Sequence, residues 1–239
     1  RDRANPERHP QFALRTDWAD ADTAQCATDA ALLDDAVRQV RALNARHPAS
    51  GPDPTDAPRF LVLHRARLFS PTEQRWIGWE RKRGKLQELN GLLRGDGDTT
   101  FLPTDVPLPS DIKYVMPVDA DTRMTRGAVA RLVGKMQHPL NRPVLDKTGN
   151  RLVSGHALMQ PRVTASLTTG DDASFFQRLL SAKRCMDPYD FAVSDTYQDL
   201  FGEGTFVGKV LYDVDAFEAV LRGRIPENAL LSHDLLEGA

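Results

Sequence analysis

The amino-acid sequence predicts an α/β fold with a mostly parallel central sheet, because short apolar segments alternate with longer amphipathic ones. Strands are predicted at 12–14, 60–64 and 112–118, where apolar side chains run together without a helical period. Amphipathic segments separate these strands, and parallel neighbours in a sheet need crossover connections of that kind.

The helical segments carry their apolar residues on one face. Leu33, Val37 and Val40 recur at helical spacing within 30–45, and charged residues fill the positions between them. A loop rich in Pro and Gly follows, and a later segment at 152–163 is predicted to be extended. Further helices are predicted from the apolar positions Leu86, Leu89, Leu93, Ala128, Val129, Leu132, Val133, Met136, Phe175, Phe176, Leu179 and Leu180.

Composition excludes several functional classes. The 239 residues include 31 Lys and Arg against 33 Asp and Glu, a net charge of −2, which disfavours a general nucleic-acid-binding protein. No apolar run approaches the roughly 20 residues that cross a bilayer. Cys26 and Cys185, the only cysteines, suggest neither a disulfide framework nor a zinc site. The chain starts without Met and ends just after a motif, so we expect it to be part of a longer polypeptide.

Two carboxylates follow the third predicted strand. Asp119 and Asp121 are two positions apart, so on a continuing strand both side chains point the same way, at the sheet edge where open α/β folds bind ligands. Carboxylate oxygens suit Mg²⁺ or Mn²⁺. A solvated turn is the alternative for such a tripeptide.

Two further segments bear on this site. Arg81, Lys82, Arg83 and Lys85 form a cationic segment that could hold a diphosphate through charge-assisted hydrogen bonds, or be an exposed helix face. Near the end of the chain, Asp234 interrupts an apolar run and could act as a general base or cap a helix. A glycine-rich stretch at 202–210 has neither the spacing of a kinase loop nor the kinase motifs after it.

Motifs along nearly the whole chain resemble the glycosyltransferase domain of the cyclic β-1,2-glucan synthases. They lie at 12–20, 78–86, 119–123, 138–143, 194–204 and 226–238. The resemblance implies a GT-A-like nucleotide-sugar transferase fold in a single domain fragment, 1–239. Its nucleotide-binding half would be 1–110, and its metal, acceptor and catalytic-base half 111–239. The first strand of that fold and a Gln-x-x-Arg-Trp motif are expected beyond the two ends of the sequence.

The resemblance also assigns roles to individual residues. Asp119 and Asp121 match the metal-binding pair, with Mg²⁺ or Mn²⁺ as cofactor, and Asp234 matches the catalytic base. Arg83 is a candidate to help stabilise the diphosphate. Positions that resemble donor-contacting or acceptor-contacting residues are Asp17, Lys85 and Asn90 for the donor, and Glu203, Gly204 and Thr205 for the acceptor.

The function implied is an inverting transfer of glucose from UDP-glucose to a growing β-1,2-glucan, because a single displacement inverts the anomeric centre. The partners implied are UDP-glucose, the glucan acceptor and the remainder of a membrane-embedded polypeptide, at the cytoplasmic face of the bacterial inner membrane. One alternative is a non-catalytic segment that binds a nucleotide sugar or has a structural role. Another is a glycosidase or phosphorylase that needs neither metal nor UDP.

Overall fold

The computed structural model describes residues 10–48, 57–109, 111–163, 174, 196–201, 208–221 and 223–224. Within these ranges helices and short strands alternate, so the predicted α/β class is confirmed. The helix predicted around 175–180 lies outside the described residues, as do Glu203, Gly204, Thr205 and Asp234.

Within the described residues the helices are α1 (Asp29–Arg46), α2 (Arg81–Leu93), α3 (Ala128–Gln137), α4 (Thr196–Phe201) and α5 (Val214–Leu221). The first three lie where the sequence predicts amphipathic segments, and α4 and α5 are not predicted from the sequence. α1 ends at its C-cap His47 and α3 at its C-cap His138, and each of these histidines precedes a proline, which disfavours helical backbone in the residue before it.

The first two strands form a parallel pair, as the sequence predicts. β1 (Phe12–Asp17) pairs with β2 (Phe60–Arg65), and α1 provides the crossover between them. The register places Asp17 opposite Arg65 at the carboxyl ends of both strands. β3 (Leu68–Ser70) and β4 (Arg75–Ile77) follow as an antiparallel hairpin.

The remaining strands correct the prediction of a mostly parallel central sheet. β5 (Tyr114–Val115), β9 (Leu211–Asp213) and β8 (Leu158–Met159) form an antiparallel sheet with β9 in the middle. β6 (Val144–Leu145) and β7 (Leu152–Ser154) form a separate antiparallel pair. In the described part of the chain, the parallel arrangement is therefore limited to β1 and β2.

Two residues explain why these strands are shorter than predicted. β5 stops before Pro117, which has no N–H group to donate to a sheet ladder. Gly155 divides the predicted extended segment into β7 and β8, because its φ of +73° turns the chain. A Cβ atom on this glycine would lie 1.8 Å from the carbonyl oxygen of Arg142, so only glycine fits there.

Helix α2 packs between the parallel pair β1–β2 and the three-stranded sheet around β9. Its Leu86 belongs to a buried cluster with Val210, Tyr212 and Val214 around β9. One turn later, its Leu89 packs with Leu63 of β2 and with Phe101. The middle of α2 is thereby held between β2 and the chain around β9. Among the described residues, no helix is long and apolar enough to cross a membrane.

Candidate functional site

The first part of the candidate site is the carboxylate of Asp17 at the end of β1. It accepts a hydrogen bond of 2.7 Å from Nε of Arg65 and forms an ion pair with Lys85 on α2. Burial alone would raise the pKa of Asp17, but the hydrogen bonds from Arg65 and Lys85 outweigh burial, so the pKa lies below its usual value. Asp17 is therefore an ionised, partly buried carboxylate in a fixed position.

The second part is the carboxylate of Asp119, which faces two lysines. Nζ of Lys209 lies 2.8 Å from Oδ2 of Asp119, and Nζ of Lys82 lies 3.5 Å from Oδ1. Lys82 also donates to the carbonyl oxygen of Gly208 at 3.4 Å. The hydrogen bond from Lys209 is the main reason that the pKa of Asp119 lies below its usual value, against the opposing effect of burial.

The two parts meet at the first turns of α2. Lys82 and Lys85 are three residues apart, so they lie on neighbouring positions of one helix face. Lys85 contacts Asp17, and Lys82 contacts Asp119. The structure thus brings the predicted donor residues Asp17 and Lys85 close to one member of the predicted metal pair.

Asp121 lies in a turn, not on a strand. The N–H of Thr122 donates to the carbonyl oxygen of Asp119 at 3.1 Å, which closes the turn around Asp121. The alternation of side chains along a strand therefore does not point Asp119 and Asp121 in the same direction. The exposed Asp121 is still only two residues from Asp119. Within the described residues, no three His, Cys, Asp or Glu groups form a metal site. The donor set nevertheless fits Mg²⁺, which proteins often bind through one or two carboxylates together with substrate phosphates and water.

Two other predicted donor residues lie deeper in the structure. Asn90 is fully buried; its amide accepts from the hydroxyl of Tyr212 at 2.7 Å and donates to Glu218 at 2.7 Å. Arg83 is 7% exposed, lies over the ring of Trp79 and pairs with Glu80 at 3.4 Å. Asn90 therefore links α2 to β9 and α5, whereas the contacts of Arg83 lie within the start of α2 and the two residues before it.

Several cationic groups lie around the start of α2, although its N-cap residue is the acidic Glu80. α2 has no acidic residue in its first turn, although a helix N-terminus is the positive end of the helix dipole and normally attracts acidic side chains. On β1, Nη1 of Arg15 is buried without a hydrogen-bond partner. Burial lowers the pKa of Arg15, while the charges of Asp17 and Asp119 oppose that shift. The buried Nη1 of Arg15 and the ammonium groups beside these aspartates are donors of the kind that binds a diphosphate.

Two residues that contact the predicted aspartates, Arg65 and Lys209, are not identified as site residues from the sequence. Arg65 could have been found, because parallel pairing of the first two strands brings its position opposite Asp17. Lys209 is separated from Asp119 by ninety residues, and its only sequence signal is a cation directly before the apolar strand β9.

Comparison with known proteins supports the resemblance found in the motifs. The cyclic beta-(1,2)-glucan synthase NdvB of Rhizobium meliloti (strain 1021) is 53% identical to this chain over 236 residues. That match covers 99% of the chain but only 8% of the relative's length. No family model matches the chain. The chain therefore corresponds to a segment of a cyclic β-1,2-glucan synthase and spans only a small part of the length of the relative that it matches.

Proposed function

We propose that this chain supplies the sugar-nucleotide site of a metal-dependent, inverting glucosyltransferase that elongates β-1,2-glucan from UDP-glucose. The main support is that Lys82 and Lys85, on one face of α2, contact Asp119 and Asp17 respectively. Carboxylates from β1 and from the turn after β5 thus lie beside ammonium groups from α2, and together they form one charged site. The name of the 53% identical relative supports glucan synthesis as the reaction.

The chemistry requires stabilisation of a leaving diphosphate. Asp119 and Asp121 would hold Mg²⁺ or Mn²⁺, which acts as a Lewis acid toward the diphosphate oxygens. Lys82, Lys85 and Lys209 add ammonium groups around the same anion.

Other residues complete the proposed reaction. Asp17 would contact the nucleotide, because its carboxylate is fixed and ionised at the end of β1. Asp234 would remove the proton from the attacking acceptor hydroxyl, which makes the reaction a single displacement with inversion. Glu203, Gly204 and Thr205 would contact the glucan acceptor. These last four assignments rest on the sequence resemblance.

The sharpest test measures UDP-glucose binding by calorimetry, with and without Mn²⁺. We expect Asp119→Ala to lose at least about tenfold in Mn²⁺-dependent affinity, because a metal ligand and its charge are removed. Asp105→Ala is the matched control, since Asp105 is an exposed carboxylate whose partner is Arg41. Equal affinity of the wild type with and without Mn²⁺, or an unchanged Asp119→Ala variant, would contradict the proposal.

A non-catalytic nucleotide-sugar-binding segment is the second candidate, favoured by the fact that the chain spans only 8% of its relative. Both candidates expect UDP-glucose binding. They differ in turnover, so transfer or hydrolysis of labelled UDP-glucose by the chain supports the enzyme, and binding without either reaction supports the second candidate.

A further inference from the structure

We infer that Lys209 is a donor-site residue that competes with the divalent cation for Asp119 and pairs with the substrate diphosphate once that cation is bound. This inference rests on the proposed function. Its basis is that Lys209 holds Oδ2 of Asp119 at 2.8 Å while Lys82 approaches Oδ1 at 3.5 Å. Both oxygens of the proposed metal ligand therefore face ammonium groups.

The backbone that carries Lys209 is fixed. The following residues Val210, Leu211 and Tyr212 are at most 4% exposed, and β9 pairs with β5 on one side and β8 on the other. The lysine side chain itself is 17% exposed and ends on the carboxylate. A flexible four-carbon stem, attached two residues before the buried strand β9, lets the ammonium group change partner while the backbone stays in place.

An ammonium group and a divalent cation cannot share the same carboxylate oxygen without repulsion. Mg²⁺ binds carboxylate oxygens at about 2.0–2.1 Å, which is closer than the ammonium of Lys209 lies in the structure. Binding of the cation therefore displaces this ammonium group from Oδ2. The diphosphate that binds with the cation offers it replacement oxygens, and such charge-assisted hydrogen bonds are strong.

The local charge balance leads to the same conclusion. Asp119 and Asp121 carry two negative charges, and Lys82 and Lys209 carry two positive charges. Addition of a divalent cation alone leaves this group with an excess of two positive charges. Addition of the cation together with a doubly charged diphosphate restores the balance. The two lysines thus make the binding of cation and sugar nucleotide cooperative, since each ligand offsets the charge of the other.

The test compares Mn²⁺ alone, measured by electron paramagnetic resonance, with UDP in the presence of Mn²⁺, measured by calorimetry. For Lys209→Met we expect about fivefold tighter binding of Mn²⁺ alone and about fivefold weaker binding of UDP, the scale of one partly exposed charge pair. Lys209→Arg, which keeps the charge, should bind UDP nearly as the wild type does. Lys113→Met is the matched control, because Lys113 is half exposed and pairs with Asp213 instead.

The outcomes separate the two proposals. If wild-type protein binds UDP with Mn²⁺ and Asp119→Ala does not, while Lys209→Met leaves both affinities unchanged, the role of Lys209 is refuted and the proposed function stands. If the wild type fails to bind UDP with Mn²⁺, both fail. If circular dichroism shows that Lys209→Met is unfolded, Lys82→Met replaces it, because Lys82 is the more exposed lysine. Lys82→Met must then bind Mn²⁺ alone more tightly and UDP more weakly than the wild type. If neither affinity changes, the inference is refuted.

Discussion

At the scale of single residues, Arg65 links the candidate site to the interior. Its side chain is fully buried, and all three of its nitrogen groups have partners: Asp17 at 2.7 Å, Glu88 at 3.1 Å and the carbonyl oxygen of Arg81 at 3.1 Å. Glu88 in turn accepts hydrogen bonds from Thr100, including its N–H at 2.7 Å. The guanidinium therefore fixes Asp17 from the buried side of the site.

We predict that Arg65→Met lowers the free energy of unfolding by about 3–5 kcal/mol, because it leaves Asp17 and Glu88 as poorly compensated, buried charges. Urea unfolding followed by circular dichroism measures this loss. Arg38→Met makes the same substitution in an exposed pair with Asp35 and should cost less than about 1 kcal/mol. Equal losses in the two variants would show that burial of the Arg65 network contributes nothing.

At the scale of elements, the start of α2 has an unusual backbone. Glu80 and Arg81 have φ values of +47° and +52°, a left-handed conformation that non-glycine residues adopt at a cost of roughly 1–3 kcal/mol each. Arg81 is held there by two 2.8 Å hydrogen bonds to Asp20. This bend brings the first turn of α2 so close to Trp79 that Gly84 has no room for a side chain.

Gly84→Ala should therefore be destabilising, although alanine is the better helix former. A Cβ atom at this position would lie 2.2 Å from the carbonyl oxygen of Trp79, and we expect a loss of about 1–3 kcal/mol in unfolding free energy. Gly134→Ala in α3 is the control, because nothing lies within 4 Å of its added Cβ. It should gain up to about 1 kcal/mol in the same urea experiment. Two variants that are both stabilised would contradict the close approach at Gly84.

The sequence predicted helices more completely than strands, for reasons that individual residues make clear. Leu33, Val37 and Val40 define the partly buried, apolar side of α1 locally, so the 3.6-residue period is sufficient to predict the helix. β9 has three residues, and its position is set by pairing with distant strands. Pro117, which has no N–H group for a sheet ladder, is a local signal in the sequence that β5 stops early.

The residues of the candidate site also differ in whether the sequence predicts them. Asp17, Lys85 and Asp119 were found because motifs carry them, and the structure brings them around one end of α2. Lys209 was missed because its contact with Asp119 depends on how the chain folds back through β9. Long-range pairing of this kind leaves no period or spacing to detect.

At the scale of the whole molecule, we expect the stability to change with pH in two separate ranges, each caused by different ionisable groups. Asp17, Asp29 and Asp119 have pKa values below their usual range, so the stability that they contribute is lost only as the pH falls below about 4. His64 is 6% exposed, and burial lowers its pKa. The charges of Asp17 and Asp29 oppose this shift without reversing it, whereas those of Lys85 and Arg67 add to it.

His64 is therefore expected to change the stability near neutral pH. Below its unfolded-state pKa of about 6.5, the unfolded chain binds a proton that the folded protein resists, so stability falls as the pH is lowered from 7 toward 5. The slope that this one histidine contributes cannot exceed about 1.4 kcal/mol per pH unit. Urea unfolding at closely spaced pH values measures it. His64→Phe keeps a ring beside Trp18 but cannot titrate, so its stability should be nearly flat across that window while the loss below about pH 4 remains. A wild-type slope that persists in His64→Phe would assign the window to other groups.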